Sequence, residues 1–570
     1  MNGGGGRQEG SSDSDPLLLH RLGVERCERG DFAGAEPYLR RALSLDPAGP
    51  ARLDLARALL ALGRADQAEA LCAESADDPE AIRIRAYALQ ALGRLAESVA
   101  AYERLVARVP NDFEGWSNLG GARLAAGSTK DAVAAFERAA AIRPDLGIAW
   151  FNLAAAQSEA SDFDSAEPSY RAGLARQPHL LPAWLALGAI YEKRNRGKAL
   201  AALIDEARAA GVPERELAYL RALSLRRQGR LEDALAFAHA APASTDPAEK
   251  ARLIGELCDK LGDEAAAFAA FAEMNRLDSS DPSNPRALAA EYRRQLAEVA
   301  DLTTAEWHAG WTPAEPDRRR PAPVFLVGFP RSGTTLLDTQ LMGHPDVVVL
   351  EEAPVLERVN GALGGGLGLL ANLDKAEVDA LRARYFAELD SIDPTAEGKL
   401  VVDKYPLAIG LAALIHRIFP DALFVFAERH PCDVVLSCFM TRFQLNRGSA
   451  NFLDLEDAAR LYDLVLGYWQ RARAAFPLDV HTLRYETLVA DPRGALEPLA
   501  DFLGLVWDDR LLDHRGTAMR RDFIGSPSYA QVAEPIYRRA VGRWTRYRAQ
   551  LAPVLPVLLP WAERLGYPRD

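Results

Sequence analysis

Large aromatic residues and prolines recur every 34 positions in the first half of the chain. Three sets keep this spacing: Trp116, Trp150 and Trp184; Tyr102, Phe136 and Tyr170; and Pro110, Pro144 and Pro178. The period predicts a repeated pair of antiparallel helices with the aromatics filling the space between them. Each proline ends a second helix because it cannot extend the hydrogen-bond ladder. Three registers with one period argue against accidental spacing in an ordinary helical bundle.

The order of residues within one unit resembles the tetratricopeptide repeat. The pattern comprises Trp116, Leu119, Gly120, Gly127, Ala132, Phe136, Ala139 and Pro144, with looser copies on both sides. The resemblance implies an α-solenoid over residues 17–276, preceded by a disordered N-terminus at residues 1–16. Stacked repeats bury a continuous core and leave a concave face for partners. Binding of a protein acceptor, self-association as a homodimer and scaffolding of an enzyme are three open roles for the array.

Composition restricts the ligands and compartments that suit this chain. The formal net charge of −13 argues against nucleic-acid binding by a basic surface, so any anion site must be locally basic. The five cysteines have no zinc-like spacing, and their odd number and sparsity favour a reducing compartment. The N-terminus lacks a signal-peptide core, and no stretch approaches the ~18–20 apolar residues of a membrane span. We therefore expect a cytoplasmic protein.

From residue 323 the pattern becomes that of an α/β domain. Val324–Gly328 is an apolar run suited to a buried strand, and a helical stretch begins near Leu336. The loop between them reads Phe329-Pro330-Arg331-Ser332-Gly333-Thr334-Thr335. A strand, a glycine-bearing loop and a helix start form a cradle for an anionic group. Nucleoside triphosphatases place a lysine where Thr334 stands, and the cation here is Arg331 instead.

The segment PRSGTTLLDTQLMGHPDVVVLEE, which starts at Pro330, resembles the 5′-phosphosulfate loop of the sulfotransferase family, most closely that of the tyrosylprotein sulfotransferases. The resemblance covers about residues 323–550. It implies a P-loop-like α/β sulfotransferase domain with a central parallel sheet at residues 323–570. It also implies 3′-phosphoadenosine 5′-phosphosulfate (PAPS) as the sulfate donor, held by Arg331, Ser332, Gly333, Thr334 and Thr335. Bacterial chains that combine these repeats with this domain form a family that the whole chain resembles.

Between the two regions, residues 277–322 are predicted to form a linker. The segment contains Ser-Ser-Asp-Pro-Ser-Asn-Pro and Pro-Asp-Arg-Arg-Arg-Pro-Ala-Pro, which favour turns and irregular chain. One connecting helix is predicted near residues 286–300.

A second anion site follows the predicted strand at residues 422–427. Arg429 stands at the end of this strand and Ser437 lies eight residues later, as in the family's 3′-phosphate motif. A guanidinium grips phosphate through charge-assisted hydrogen bonds, and a hydroxyl adds a neutral donor. The alternative role of Arg429 is a surface ion pair with Glu428 or Asp433. Arg442 is a looser match for another phosphate contact.

The resemblance also implies the groups that act on the transferred sulfuryl group. Glu352, after the short strand Val347–Leu350, matches the catalytic glutamate and is expected to act as general base. The neighbouring Glu351 is the alternative base, although in an extended segment it would face the opposite way. Lys404 matches the lysine that contacts the donor's bridging oxygen, and its alternative partner is Asp403. No metal is required by this scheme.

Four more residues are assigned through the resemblance. Tyr485, Ser528 and Arg543 are expected to contact the nucleotide, although the family usually has lysine where Arg543 stands. Tyrosylprotein sulfotransferases have an arginine-rich loop for acidic peptides after the catalytic glutamate. In this chain only Arg358 suits that task, which puts acidic-peptide specificity in question.

The sequence thus predicts a PAPS-dependent sulfotransferase whose favoured acceptor is a protein tyrosine. A carbohydrate or lipid hydroxyl would satisfy the same base. An ATP- or GTP-using P-loop enzyme is a second hypothesis, and Thr334 argues against it. A third is a repeat-based interaction protein with a degenerate α/β domain, which the intact Arg331, Glu352 and Lys404 disfavour.

Overall fold

The computed structural model describes residues 15–75, 77–242, 244–317, 320–364, 366–520, 536 and 539–568. Two compact units divide the chain: Met1–Tyr191 with Ala202–Pro213, and Glu192–Ala201 with Glu214–Asp570. Within the described ranges, no helix is long and apolar enough to cross a membrane.

Successive helices connected by short turns make up the first half of the chain. Their bounds are α1 Pro16–Glu28, α2 Phe32–Leu45, α3 Ala51–Ala61, α4 Ala65–Ala73, α5 Pro79–Ala91, α6 Leu95–Arg108, α7 Phe113–Ala125, α8 Thr129–Ile142, α9 Gly147–Glu159, α10 Phe163–Arg176, α11 Leu181–Lys193, α12 Gly197–Ala209, α13 Ala218–Arg227, α14 Leu231–Ala240, α15 Pro247–Leu261 and α16 Glu264–Asp278, with a 3₁₀ helix at Glu214–Leu217.

The 34-residue period has a direct structural cause. A methyl group at Gly120 would lie only 2.7 Å from the ring of Phe136, so the glycine is what allows α7 and α8 to approach. The indole N–H of each periodic tryptophan donates to the carbonyl of the periodic proline six residues earlier, at 2.9 Å for Trp116, 3.1 Å for Trp150 and 2.8 Å for Trp184. The predicted helical repeats are confirmed.

The predicted linker contains more helix than its turn-rich composition suggests. It contains α17 Pro285–Leu302 and a short helix α18 Ala305–Ala309. Leu296 and Ala300 of α17 and Trp311 are buried in the same cluster as Phe325 of the first strand. The connecting helix predicted near residues 286–300 therefore also packs into the core of the α/β region.

A five-stranded parallel sheet forms the centre of the α/β region. Its strands are β1 Val324–Gly328, β2 Val347–Glu351, β3 Leu400–Lys404, β4 Leu423–Glu428 and β5 Asp479–Arg484. The strand order is β2-β3-β1-β4-β5, so the chain leaves β1 toward one edge and later returns to pair β4 on its other side. Ligands of open α/β sheets bind at the carboxyl ends of strands where such a reversal occurs.

Helices cover both faces of this sheet. They are α19 Thr334–Leu341, α20 Val355–Ala362, α21 Lys375–Ile392, α22 Ala412–Ile418, α23 Pro431–Phe439, α24 Leu455–Ala475, α25 Tyr485–Ala490, α26 Pro492–Phe502, α27 His514–Arg520, α28 Arg548–Leu551 and α29 Leu555–Arg564, with 3₁₀ helices at Leu367–Asn372, Pro394–Ala396, Pro406–Leu411, Ser449–Leu453, Asp509–Leu512 and Arg543–Tyr547. Alternate residues of β1 enter different clusters, with Phe325 and Val327 in one and Val324 and Leu326 in the other. The predicted parallel α/β fold is confirmed.

Candidate active site

The loop after β1 begins in close contact with the neighbouring strand β4. A Cβ at Gly328 would lie 2.6 Å from the carbonyl oxygen of Ala427, so only glycine fits there. Gly333 has a φ of 97°, and a Cβ on it would lie 2.5 Å from the ring of Tyr485. Arg331 adopts a φ of 70°, a left-handed conformation that costs a non-glycine residue of order 1 kcal/mol. The folded loop therefore holds Arg331 in an unfavourable backbone conformation.

The start of α19 has the properties of an anion cradle. Helix α19 begins at Thr334, and its N-cap Gly333 supplies no side-chain hydrogen bond to the first turn. Thr334 and Thr335 are buried in that turn. The hydroxyl of Ser332 is buried and has no hydrogen-bond partner among the described residues. Buried polar atoms are normally paired, so this hydroxyl is consistent with a ligand group in the loop.

Two predicted phosphate-binding residues, Arg429 directly after β4 and Ser437 on α23, contact the same loop. Arg331 Nε donates to Ser437 Oγ at 3.1 Å. Arg429 donates through Nη1 to the carbonyl of Arg331 at 2.8 Å and lies over the ring of Tyr485, with its Cζ 4.7 Å from the ring centroid. Its Nε is buried and makes no hydrogen bond within the described part of the chain. The fold thus brings Arg331, Arg429, Ser437 and Tyr485 together at the carboxyl ends of β1, β4 and β5.

Lys404, at the end of β3, lies in a buried cluster of carboxylates. Its side chain is fully buried, and its Nζ lies 2.8 Å from Glu352 Oε1, 3.1 Å from Asp338 Oδ2 and 3.5 Å from Glu351 Oε1. Burial alone lowers the pKa of Lys404, but these carboxylates outweigh that effect and raise it above its ordinary value. Lys404 is therefore a cation at neutral pH.

Glu351 and Glu352 do not face opposite ways, contrary to the expectation for an extended segment. Strand β2 ends at Glu351, and Glu352 has a φ of 51°, which breaks the alternation of a strand. Both carboxylates consequently approach the same ammonium. Glu352 is the more accessible of the two, with 41% of its side chain exposed against 13% for Glu351.

Asp403 is not the partner of Lys404. It accepts a hydrogen bond of 2.7 Å from the hydroxyl of Tyr385, on the other side of β3. Burial raises the pKa of Asp403 to about 7, although the bond from Tyr385 opposes the shift. The alternation along β3 separates the two side chains, so the predicted alternative pairing is wrong.

Two arginines predicted to bind the nucleotide are held by carboxylates in or next to α15 and α16. Arg442 donates to Asp278 at 3.0 and 2.9 Å, to Asp246 at 2.9 Å and to Glu249 at 3.0 Å. Arg543 Nη2 lies 2.9 Å from Asp259 Oδ2. The structure gives no support to a phosphate contact of Arg442, because carboxylates occupy its donor groups. Both nucleotide contacts stay predictions.

The remaining predicted residues lie farther from these groups or outside the described chain. Arg358, on α20, forms an ion pair of 2.6 Å with Glu388 of α21. Ser528 lies outside the described residues. Neither position adds a described contact to the loop or to the Lys404 cluster.

Sequence reasoning missed the buried carboxylate of Asp338 and the backbone contacts of Asp433. Asp338, on α19, contacts Lys404, and Asp433, on α23, accepts the backbone N–H groups of Gly542 at 2.7 Å and Trp544 at 2.8 Å. An aspartate in the apolar face of a helix is a signal for such a role, because buried charges are almost always paired. The partner itself cannot be read from the local pattern.

The parallel sheet, the glycine-bearing loop after β1 and the lysine–carboxylate cluster belong to one α/β domain. Residues 323–509 match the model of the Sulfotransferase family. Residues 28–78 and 85–146 match two tetratricopeptide repeat models. The chain thus carries tetratricopeptide repeats and a sulfotransferase-family domain, as predicted.

Curated relatives resemble the chain over less than half of its length. An uncharacterized protein of Aquifex aeolicus is 28% identical over 43% of this chain and 33% of its own length. The protein-tyrosine sulfotransferase of Drosophila melanogaster is 24% identical over 41% of this chain and 51% of its own length. The chain therefore spans a third to a half of these two proteins. Among solved structures, the sulfotransferase domain of the Synechococcus PCC 7002 olefin synthase is 26% identical over 41% of this chain and 91% of that domain, with a TM-score of 0.29.

Proposed function

We propose that the chain is a PAPS-dependent sulfotransferase that transfers a sulfuryl group to an acceptor hydroxyl. One observation carries the proposal. The buried ammonium of Lys404 lies 2.8 Å from the accessible carboxylate of Glu352. Lys404 ends β3, and the neighbouring strand β1 leads into the anion loop. A cation for a leaving oxygen and a base for an acceptor proton are the two groups that such a transfer needs.

The unpartnered polar atoms of the site fit a phosphorylated nucleotide. Ser332 Oγ and Arg429 Nε are buried without hydrogen-bond partners in the described chain, and Arg331 and Ser437 already contact each other at the loop. We assign the 5′-phosphosulfate to residues 331–335 and the 3′-phosphate to Arg429 and Ser437. Tyr485, which packs against both Gly333 and Arg429, would position these two groups relative to each other.

PAPS supplies a sulfuryl group bound to a phosphate oxygen. During transfer the acceptor oxygen forms a bond to sulfur, and the bond between sulfur and the bridging oxygen breaks with its electron pair left on the phosphate. Glu352 takes the proton of the acceptor hydroxyl. Lys404 stabilises the negative charge that develops on the bridging oxygen, in the manner of other preorganised cations.

The acceptor that we propose is a protein tyrosine. The name of the Drosophila relative supports this class of acceptor. A phenol has an ordinary pKa of about 10, so a carboxylate base assists its deprotonation during transfer. The repeats are proposed to hold the protein acceptor.

The test is incubation of the purified chain with radiolabelled PAPS and a lysate, followed by identification of the labelled product by mass spectrometry. Calorimetry with adenosine 3′,5′-bisphosphate measures donor recognition separately. Label on tyrosine together with bisphosphate binding supports the whole proposal, and label on a sugar or lipid changes only the acceptor. Tight binding of magnesium triphosphates without bisphosphate binding would overturn it.

A further inference from the structure

Asp338 is the most deeply buried partner of Lys404. It lies in α19, five residues after Gly333 of the anion loop, and its side chain is fully buried. Its Oδ2 is 3.1 Å from the ammonium of Lys404, and its Oδ1 accepts a hydrogen bond of 3.1 Å from Thr339. The exposed carboxylate of Glu352 can turn toward an acceptor, whereas Asp338 has no access to solvent or to an acceptor.

This difference matters because Glu352 loses its negative charge when it takes the acceptor proton. At that moment Lys404 must still point toward the leaving oxygen, although its pairing with Glu352 is weakened. We propose that Asp338 is a positioning residue that holds the Lys404 ammonium while Glu352 acts as base. The inference rests on the proposed function for its catalytic meaning, but the contact between Asp338 and Lys404 is independent of it.

The charges around Lys404 determine how the loss of Asp338 would be observed. Asp338 faces the ammonium of Lys404 from α19, and Glu351 and Glu352 face this ammonium from the end of β2. Strand β1, on the other side of β3, contains no titratable residue. Removal of one carboxylate from a buried ammonium favours its neutral form. The alkaline limb of the kcat profile should therefore move to lower pH, since neutral Lys404 cannot stabilise an anion.

The first experiment compares Asp338→Asn with the wild-type chain in PAPS turnover and in binding of adenosine 3′,5′-bisphosphate. We expect kcat to fall about 10- to 100-fold, the range found when a supporting partner of a functional group is lost. The alkaline limb should move to lower pH, with bisphosphate affinity unchanged. Asp403→Asn is the matched control, because Asp403 is also buried on β3 but pairs with Tyr385. The alkaline limb of the kcat profile of this variant should stay in place. An unchanged kcat and limb in Asp338→Asn, or a loss confined to bisphosphate affinity, would overturn the proposal.

The second experiment needs no activity. Thermal unfolding of Asp338→Leu, Lys404→Met and the double variant forms a double-mutant cycle. We expect Lys404→Met to be the more destabilised single variant, because it leaves the buried Asp338 without its cation, whereas Asp338→Leu leaves Lys404 with Glu351 and Glu352. The double variant should be more stable than Lys404→Met. Additive losses would show that the two groups are not coupled and would overturn the inference. If the wild-type chain transfers no sulfate, the proposed function fails, and this cycle still decides whether Asp338 holds Lys404.

Discussion

Glu352 and Lys404 are joined by two reciprocal hydrogen bonds. The backbone N–H of Glu352 donates to the carbonyl oxygen of Lys404 at 2.8 Å, and the ammonium of Lys404 donates to the Glu352 carboxylate at 2.8 Å. The first bond extends the pairing of β2 and β3 by one residue beyond the register of Glu351 and Lys404. The backbone therefore fixes Glu352 and Lys404 relative to each other, as the roles of base and cation that we propose for them would require.

Glu352→Gln should lower kcat by about 10²- to 10⁴-fold, the usual contribution of a general base. Binding of adenosine 3′,5′-bisphosphate should persist, because the proposed phosphate contacts lie elsewhere. Turnover of labelled PAPS and calorimetry measure the two effects. Glu351→Gln is the control and should lose less activity. A larger loss in Glu351→Gln than in Glu352→Gln would transfer the role of base to Glu351.

Lys404→Ala should reduce kcat by orders of magnitude, since a preorganised charge at a developing anion contributes about 10²- to 10³-fold. Lys375→Ala removes an exposed lysine that pairs only with Asp379 in a described ion pair, and it should leave the rate unchanged. Steady-state kinetics over a range of acceptor concentrations separates an effect on kcat from an effect on the acceptor KM. A change confined to the acceptor KM would contradict the proposed role of Lys404.

Arg429→Ala should weaken binding of adenosine 3′,5′-bisphosphate by about 10- to 100-fold, the effect of losing a charged hydrogen bond of about 1.5–3 kcal/mol. Adenosine 5′-monophosphate lacks the 3′-phosphate and provides the control ligand in the same calorimetric titration. Its affinity should be nearly equal for the variant and the wild type. An equal loss for both ligands would mean that Arg429 supports the loop rather than the 3′-phosphate.

Arg442→Gln should lower the Tm with little change in bisphosphate affinity, because Arg442 binds Asp246, Glu249 and Asp278 in the described structure. Burial raises the pKa of Glu249, but Arg252 and Arg442 lower it to about 2. A depressed carboxyl pKa stabilises the fold above the unfolded pKa of about 4.3, and this stability is lost as pH falls toward the folded value. The Tm difference from wild type should therefore shrink between pH 5 and pH 2.

The control for Arg442→Gln is Arg460→Gln, which removes an exposed arginine from a surface pair on α24. Surface pairs contribute about 0–1 kcal/mol, so its Tm should change little. A tenfold loss of bisphosphate affinity in Arg442→Gln alone would restore the phosphate contact predicted from the sequence.

Asp403→Asn should become more stable relative to wild type as pH rises. Burial raises the pKa of Asp403 to about 7, whereas the unfolded value is about 3.9. The folded chain thus binds more protons than the unfolded chain between these values, so the contribution of Asp403 to stability is lost as pH rises from about 4 to about 7. Thermal unfolding at several pH values measures this, and a constant Tm difference across the range would contradict the buried, shifted carboxyl.

Local patterns in the sequence were sufficient for the helical repeats, the parallel α/β domain and the family of its anion loop. The 34-residue period reflects packing that repeats along the helical pairs, and the strand, glycine-bearing loop and helix start of the anion site follow one another directly in the chain. Such constraints act between residues that are near one another in the chain or repeat along it. They can therefore be read without knowledge of distant contacts.

Only the tertiary structure decided which charges meet. Lys404 and Glu352 are 52 residues apart, Arg331 and Ser437 are 106 apart, and Arg442 and Asp278 are 164 apart. The left-handed backbone at Glu352, which turns two adjacent glutamates toward one ammonium, depends on a bond to the neighbouring strand. A charged side chain could pair with several opposite charges in the sequence. Which pairs form depends on the distances that the folded strands and helices set between them.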